Sequence, residues 1–519
     1  CTRITSSLGA DIRHTYDREG NLQTMQAGKS WQASWVRDNT GLEVQRTFSG
    51  GVTVSTERDG FGREVRKSVR VGGIERGAYR YEWGITNRLL SKENELTGTV
   101  MRYDYDRFDF LIRQETIQGS ETDVIYRMPD FVGNLFETPD KKDRKYGAGG
   151  KLLEDPDCFY HYDNEGNLVF REFKELRGSD IRYDRKRMKK ERGISFLATG
   201  TGWNYKWNSN GTLKKVIRPD GRPVEFQYDA LGRRTSKQYF GKKTRWIWNG
   251  NVPLHEWSYK VTDEQSNEEE NIQKEPTEDI ITWVFEVGTL IPTAKMLDSK
   301  QHSIVSDHLG TPIQMYDEQG NKIWDCILNI YGKVTSFKGS SLGDCPFRFQ
   351  GQYEDEETEL YYNRFRYYSP NLGNYVSQDP IEFAGNNPTF YGYVYDTNSG
   401  LDLFGLNIVT VYHYTSKKSY NKISSQSPYV FKASIPKKGN PKGVYVTTKS
   451  PEILAKNNNG YKKLGLTGNK SSHFFEIQID DSKLKSLNGD RGQFIKYIDG
   501  DVEIDRSSVT RHGETPKIH

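Results

Sequence analysis

Tyr228-Asp229-Ala230-Leu231-Gly232-Arg233 is one copy of a motif that recurs along most of the chain. Clear copies begin at Tyr16, Tyr162 and Tyr316. Each reads aromatic, Asp, two residues, Gly, then a polar or basic residue. Asp59-Gly60-Phe61-Gly62-Arg63 and Trp207-Asn208-Ser209-Asn210-Gly211 are degenerate copies. The chemistry spells a hairpin turn: Asp or Asn caps the turn through its side chain, and Gly takes the position with positive φ. The aromatic ends one strand and stacks across to the next. Between turns, Val224-Glu225-Phe226-Gln227 and Thr244-Arg245-Trp246-Ile247-Trp248 alternate with period two, which means strands. An ordinary β-sandwich or propeller also uses such turns. Persistence over more than 300 residues favours one long continuous sheet.

With 519 residues, 32 Tyr, 10 Trp and 49 Gly, the composition suits many short strands and argues against a helical bundle. No apolar run is long enough to cross a bilayer, and Cys1-Thr2-Arg3-Ile4-Thr5-Ser6 has no signal-peptide core. The start at Cys1 reads as a processed or truncated chain, with a lipidated first Cys as the other reading. Cys1, Cys158, Cys326 and Cys345 are scattered, without metal spacing, so reduced structural thiols are expected. The acidic stretch Thr262–Asp279 reads as an exposed insertion. Of 74 Lys and Arg and 70 Asp and Glu, 19 and 10 lie beyond Leu406, leaving 55 and 60 before it. The basic last part and mildly acidic first part attract one another weakly.

A second set of motifs runs from Asp307-His308-Leu309-Gly310-Thr311-Pro312 through Trp324 and Tyr331-Gly332 to Phe349-Gln350-Gly351-Gln352-Tyr353. It continues with Tyr362-Asn363-Arg364-Phe365-Arg366-Tyr367-Tyr368, Asp379-Pro380-Ile381 and Asp402-Leu403-Phe404-Gly405-Leu406. With the repeats, this order resembles the Rhs proteins, YD-repeat polymorphic toxins of bacteria related to insecticidal toxin-complex subunits. The resemblance implies a mainly β fold, a large YD-repeat β-shell or cocoon, followed by a small α+β toxin domain. It divides the chain into a shell over 1–306, a core-closing and autoproteolytic region over 307–406, and a toxin domain over 407–519. It also implies self-cleavage between Leu406 and Asn407, with Asp379 and Asp402 as the catalytic pair. Two carboxyls held together cannot both ionise cheaply, so one stays protonated and polarises the scissile carbonyl while the other activates water. Without the resemblance both aspartates would pass as turn residues. The chain departs from the family at Ser369, Glu382-Phe383, Thr397 and Leu403; the last two stand where the family has prolines, which removes rigidity from the cleavage loop.

Beyond Leu406, the strand Ile408–Thr415 carries His413, Ser416 caps a helix to Ile423, and a Lys-, Pro- and Gly-rich loop spans Ser434–Gly443. Gly443–Thr448 is a second strand, and Ser450-Pro451 opens a second helix. His473–Ile479 and Gln493–Ile498 are later strands. His413-Tyr414-Thr415, then Gly443-Val444-Tyr445-Val446-Thr447, resembles ADP-ribosyltransferase toxins of the His-Tyr-Asp signature. The resemblance implies NAD as substrate. His413 would hold its adenosine ribose or backbone, Tyr445 would stack on the nicotinamide, and Tyr414, Thr415 and Thr447 would support the pocket. The third catalytic position stays open: Gln493 has the right place, and Asp499, Asp501 or Glu503 the right charge. Taken alone, His413 passes as a packed polar residue and Tyr445 as a core aromatic. A basic domain with His413, His473 and His512 also fits a nuclease toxin, and a non-catalytic surface-binding repeat protein is a third reading. The implied setting is a secreted or delivered effector that acts in the recipient's cytoplasm. Its partners would be a target macromolecule, an immunity protein, and type VI or toxin-complex machinery.

Overall fold

The computed structural model describes residues 2–18, 20–39, 41–176, 185–261, 276–298, 300–380, 389–406, 408–426, 428–434, 442–447, 451, 454, 471–480, 485–486, 495–504 and 508–515. The fold is mainly β, as expected. Twelve strands, from Arg3–Thr5 to Glu121–Tyr126, form one antiparallel sheet, and sixteen, from Lys145–Tyr146 to Val334–Lys338, form another. Within each sheet every strand bonds to its neighbours in sequence. The array is thus split once, where a single continuous sheet was expected. The break falls at a two-stranded hairpin, Met128–Pro129 with Leu135–Phe136. Pro129 has no N–H to extend a ladder. Arg127 beside it turns its guanidinium to the carbonyls of Val394 and Tyr395. The second sheet runs unbroken through Ser306 and Asp307.

The turns form as the motif predicts. Asp229 Oδ1 accepts from the amides of Leu231 and Arg233, both at 2.9 Å, while Oδ2 accepts from Arg233 Nε at 2.7 Å. Gly232 adopts φ +72°, and the register shifts between Gln227 and Tyr228, so each turn ends in a bulge. The same carboxylate-to-amide bond, four residues on, recurs at Asp59, Asp106, Asp163, Asp307 and Asp317. The motif's aromatic then reaches back along the rim. Tyr228 Oη donates to the Leu213 carbonyl at 2.8 Å, Tyr105 Oη to Leu89 at 2.9 Å, and Trp83 Nε1 to Glu64 at 2.6 Å. Each acceptor lies just past the previous turn on the same edge, so turn is tied to turn.

Period-two burial, as in Trp31–Arg37, gives each sheet one apolar face. Trp31, Val52, Val69 and Leu89 of the first sheet pack directly on Val284, Ala294, Val305 and Tyr316 of the second. Trp31 Nε1 donates to Ser303 Oγ at 3.0 Å across this contact. The earlier strands of the second sheet are covered by a four-stranded unit made of Tyr353–Asp355, Leu360–Asn363, Arg366–Ser369 and Asn374–Tyr375. This lid holds on to the rim through its Tyr- and Arg-rich run. Tyr361 donates to the Gly332 carbonyl at 3.0 Å, Arg364 to Leu231 at 2.8 Å, Tyr368 to Tyr331 at 2.7 Å and Tyr391 to Gly166 at 2.6 Å. The two absent prolines are compensated: Leu403 is buried among Leu290, Phe349 and Tyr393, and Thr397 Oγ1 donates to the Ile330 carbonyl at 3.0 Å. Cys158, Cys326 and Cys345 are buried free thiols, pushed up by burial to about 12, 11 and 12.

The C-terminal unit is α+β. Its six-stranded sheet runs Lys485–Ser486, Ile495–Asp499, Gly443–Thr447, Ile408–Thr415, His473–Asp480, Val509–Glu514. The helix Lys417–Ser424 is capped by Ser416, whose side chain accepts from the Ser419 amide, and it buries Tyr420 and Ile423 as predicted. The acidic stretch from Thr262, the loop after Ser434, the helix opened by Ser450-Pro451, and Gln493 lie largely or wholly outside the described residues. This unit meets the first sheet at its rim, where a Cβ on Gly20 would stand 2.7 Å from the Ser425 carbonyl. Beside that contact, a cavity of about 280 Å³ is lined by Arg37, Arg46 and Glu286 on one side and Tyr429, Arg511 and His512 on the other. Among the described residues no helix is long and apolar enough to cross a membrane.

One buried ion cluster fastens lid to wall. Asp355, fully buried, accepts from Arg234 and from Lys237 Nζ at 2.9 Å. The Arg234 guanidinium lies 4.5 Å from the rings of both Trp246 and Tyr362. Asp355→Ala leaves two buried cations without their shared partner and should cost about 3–5 kcal/mol in denaturant unfolding. Glu359→Ala, at the more exposed pair with Arg171, should cost less than about 1 kcal/mol.

Candidate functional site

The lid's third and fourth strands bring Arg366 and Tyr375 against Asp379 and Asp402. All three ionic side chains are fully buried. Arg366 Nη2 stands 2.8 Å from Asp379 Oδ2 and 3.3 Å from Asp402 Oδ2. The two carboxylates expected as a pair are thus brought together around a shared guanidinium. That guanidinium lies 3.7 Å above the Tyr375 ring. Tyr375 Oη donates to Asp402 Oδ2 at 2.7 Å and accepts from Asn363 Nδ2 at 2.7 Å.

The closing motif is held along its backbone. Asn363 Nδ2 donates to the Asp402 carbonyl at 2.8 Å, the Phe365 amide to the Phe404 carbonyl at 3.1 Å, and Arg366 Nε to the Gly405 carbonyl. Asp402 Oδ1 accepts from the Leu406 amide at 2.9 Å. Gly405 has φ +68°, and a Cβ there would stand 2.5 Å from the Asn363 carbonyl, so only glycine fits. Asp402 therefore bonds the residue just before the expected scissile bond; Asn407 lies outside the described residues.

Burial pushes the Asp402 carboxyl up to about 6; Asp379 adds to the rise, while Arg366, Tyr375 and the Leu406 amide oppose it. A carboxyl raised to that range can exchange a proton near neutrality.

In the C-terminal unit, Tyr412 pairs with Thr447, so the strands of His413 and Tyr445 are neighbours. His413 Nδ1 lies 2.9 Å from the Tyr445 carbonyl. A carbonyl only accepts, so Nδ1 carries the proton and Nε2 keeps its lone pair. Burial lowers the imidazole's pKa, which keeps it neutral at pH 7. The His413 ring packs on Phe431 at 5.1 Å, on the side of Val446, so the structure sets it on the opposite face of the sheet from Tyr445. Val444 and Val446 point into the core, so Tyr445 faces the other way, where its half-buried ring stacks on Tyr497 at 6.0 Å. These two tyrosines are register partners on adjacent strands.

Tyr414 is buried with Tyr412, Leu454 and Phe474, and Thr415 and Thr447 are buried as well. Asp499 is exposed, opposite Gly443, and by alternation shares a face with Tyr497. Asp501 bonds Lys432 Nζ and the Ala433 amide, both at 2.8 Å. Glu503 is exposed, opposite Val430. His473 and His512 flank the Tyr420 ring, at 4.6 and 5.7 Å, apart from the contacts of His413.

Sequence reading missed Arg366, Tyr375 and Asn363 as members of the first site, and Tyr497 beside the second. The first three lie in or near the Tyr-Asn-Arg-Phe-Arg-Tyr-Tyr run, which carries the signal without showing which side chains turn inward. Tyr497 had no signal beyond its place in a strand.

The chain belongs to the teneurin YD-shell family, whose model matches residues 2–399. Residues 411–507 match the HYD1-signature-containing ADP-ribosyltransferase, so the C-terminal domain is of that type. The resemblance to Rhs proteins is borne out among relatives. Probable deoxyribonuclease RhsB of Dickeya dadantii is 27% identical over 412 residues, covering 75% of this chain and 25% of its own length. Toxin protein Tse5 of Pseudomonas aeruginosa is 26% identical over 451 residues, covering 75% of this chain and 34% of its own. The crystal structure of TcdB2-TccC3-TEV matches with TM-score 0.39 and 17% identity, over 78% of this chain and 24% of that one. The chain thus spans between 25% and 34% of the length of the two named relatives.

The raised Asp402 value has a measurable sign. It lies above the roughly 3.9 of an unfolded aspartate. Its contribution to stability is therefore full below about pH 4 and is lost as the pH rises through about 6. A side-chain carbon-13 titration should place the Asp402 midpoint near 6; a midpoint below about 4.5 contradicts the burial argument.

Proposed function

We propose that this chain is part of a delivered Rhs-type toxin that cuts itself between Leu406 and Asn407 and carries an NAD-dependent ADP-ribosyltransferase as cargo. The observation that carries the first half is the buried Asp379–Arg366–Asp402 cluster, with Asp402 bonded to the Leu406 amide. Hydrolysis adds one water across the Leu406–Asn407 bond, leaving a carboxyl on Leu406 and an amine on Asn407. In this reading Arg366 neutralises Asp379 and pins the Gly405 carbonyl, while Asp402 moves the proton. Asp379→Asn and Asp402→Asn should each give one full-length band on a denaturing gel. A fragment beginning at Asn407 from both variants refutes the assignment.

The second half rests on the HYD1 match, with Tyr445, Tyr497 and Asp499 on one face of the sheet and His413 reaching the ligand from the opposite face. The half-buried tyrosine faces suit a nicotinamide ring, since aromatic faces stack at low entropy cost. His413 Nε2, left as an acceptor, suits a ribose hydroxyl. Asp501 is held by Lys432, so Gln493 and Asp499 are the preferred candidates for the group that stabilises charge on the breaking glycosidic bond. The target is a macromolecule in the recipient cytoplasm, with an immunity protein and type VI or toxin-complex machinery as partners. After cutting, the cargo stays enclosed by the shell of the whole protein.

The test incubates freed residues 407–519 with labelled NAD and bacterial lysate. His413→Ala and Tyr445→Ala should abolish most labelling, and loss of the charge-stabilising residue should cost about 10²–10³ in rate. No label on any acceptor, with nucleic acid degraded instead, would sink the transferase reading in favour of a nuclease.

A further inference from the structure

Phe404 stands inside the closing motif, between Leu403, which is buried in the lid core, and Gly405, which has no side chain to anchor it. Its half-buried ring packs on the edge of that core and lines a cavity of about 300 Å³. The other walls include Ile4 and Ile12 from the first sheet, and Val252, Phe285 and Leu290 from the second. The seat is therefore completed only where the two sheets and the lid meet.

Leu401 and Leu403 fix one side of the motif inside the lid. Phe404 packs on the other side, at the edge of the cluster that includes Leu290 and Val252 of the second sheet, two residues ahead of the Leu406 amide that Asp402 holds.

We propose that Phe404 is a positioning residue for self-cleavage, seating the motif so that the Leu406–Asn407 bond is presented to Asp402. This rests on the cleavage reading above and adds to it a contact with the walls. Phe404 touches neither carboxylate; it acts through the backbone it carries. A reacting group misplaced by about 1 Å can lose two orders of magnitude in rate, so the effect falls on the first-order cutting rate.

The test uses the full chain, made by pulse-labelled cell-free synthesis and followed by gel during a chase. Phe404→Ala removes the ring and enlarges the cavity, while Phe404→Leu refills much of that space. The expected rate is about tenfold or more below the parent for Phe404→Ala, and close to the parent for Phe404→Leu. Rescue by a side chain that only fills space, with Asp379 and Asp402 untouched, ties the loss to seating. A smaller drop for Phe404→Ala, or a Phe404→Leu as slow as Phe404→Ala, overturns the proposal. The parent and Asp402→Asn are run alongside. An uncut parent refutes the cleavage reading and this inference together, whereas a cut parent with a fast Phe404→Ala refutes the inference alone.

Discussion

Much of this structure depends on one carboxylate that accepts the amide four residues ahead of it. At Asp229 and its equivalents the side chain supplies the acceptor that a tight turn lacks, and the following residue locks the second oxygen. Such a bond contributes about 1 kcal/mol on its own. Its larger effect is geometric, because it gives successive turns the same shape. A rim of like turns presents carbonyls at regular intervals, and the lid's tyrosines and Arg364 are spaced to meet them. The buried charges of the lid inherit their positions from that rim.

Electrostatics then differs sharply between the two candidate sites. In the lid, one guanidinium serves two carboxylates in a space with no exposure to water. One acid there is left in excess of the local positive charge, and burial pushes Asp402 towards its neutral form. Among the described residues of the C-terminal domain no ion pair organises His413. A backbone carbonyl fixes its tautomer, and an aromatic wall fixes its plane. The first arrangement leaves a carboxyl whose proton affinity burial has raised, the second a neutral imidazole with one nitrogen left as an acceptor.

Local signals carried most of the fold. The Asp-x-x-Gly turns, the alternating strands, the Ser416 cap and the strand of Tyr445 were all legible, because each depends on residues within a few positions of one another. The break after Tyr126 was not read, although Pro129 stands beside it, and the bonds of Arg127 to carbonyls 267 and 268 residues away leave no local signal. The pairing of Asp379 with Asp402 was legible only through family resemblance. Arg366 between them was hidden, because a run with two arginines does not reveal that Arg364 grips the rim while Arg366 turns into the core. Tyr497 gained its place beside Tyr445 from strand order, which the sequence of the domain does not spell out.

The strand order has a consequence for how the molecule is made. Among the described residues, each strand of both large sheets pairs in its ladder only with the strands before and after it in the chain. Such a wall has low sequence separation within each sheet and can zip up from its N-terminal end as the chain emerges. The lid is the opposite case, since Tyr391 must find Gly166 across 225 residues and Tyr362 must find Gly232 across 130. Loop closure over such spans comes late. The lid and its buried acids also follow the strands of the wall in the chain, so they dock on strands that have already emerged.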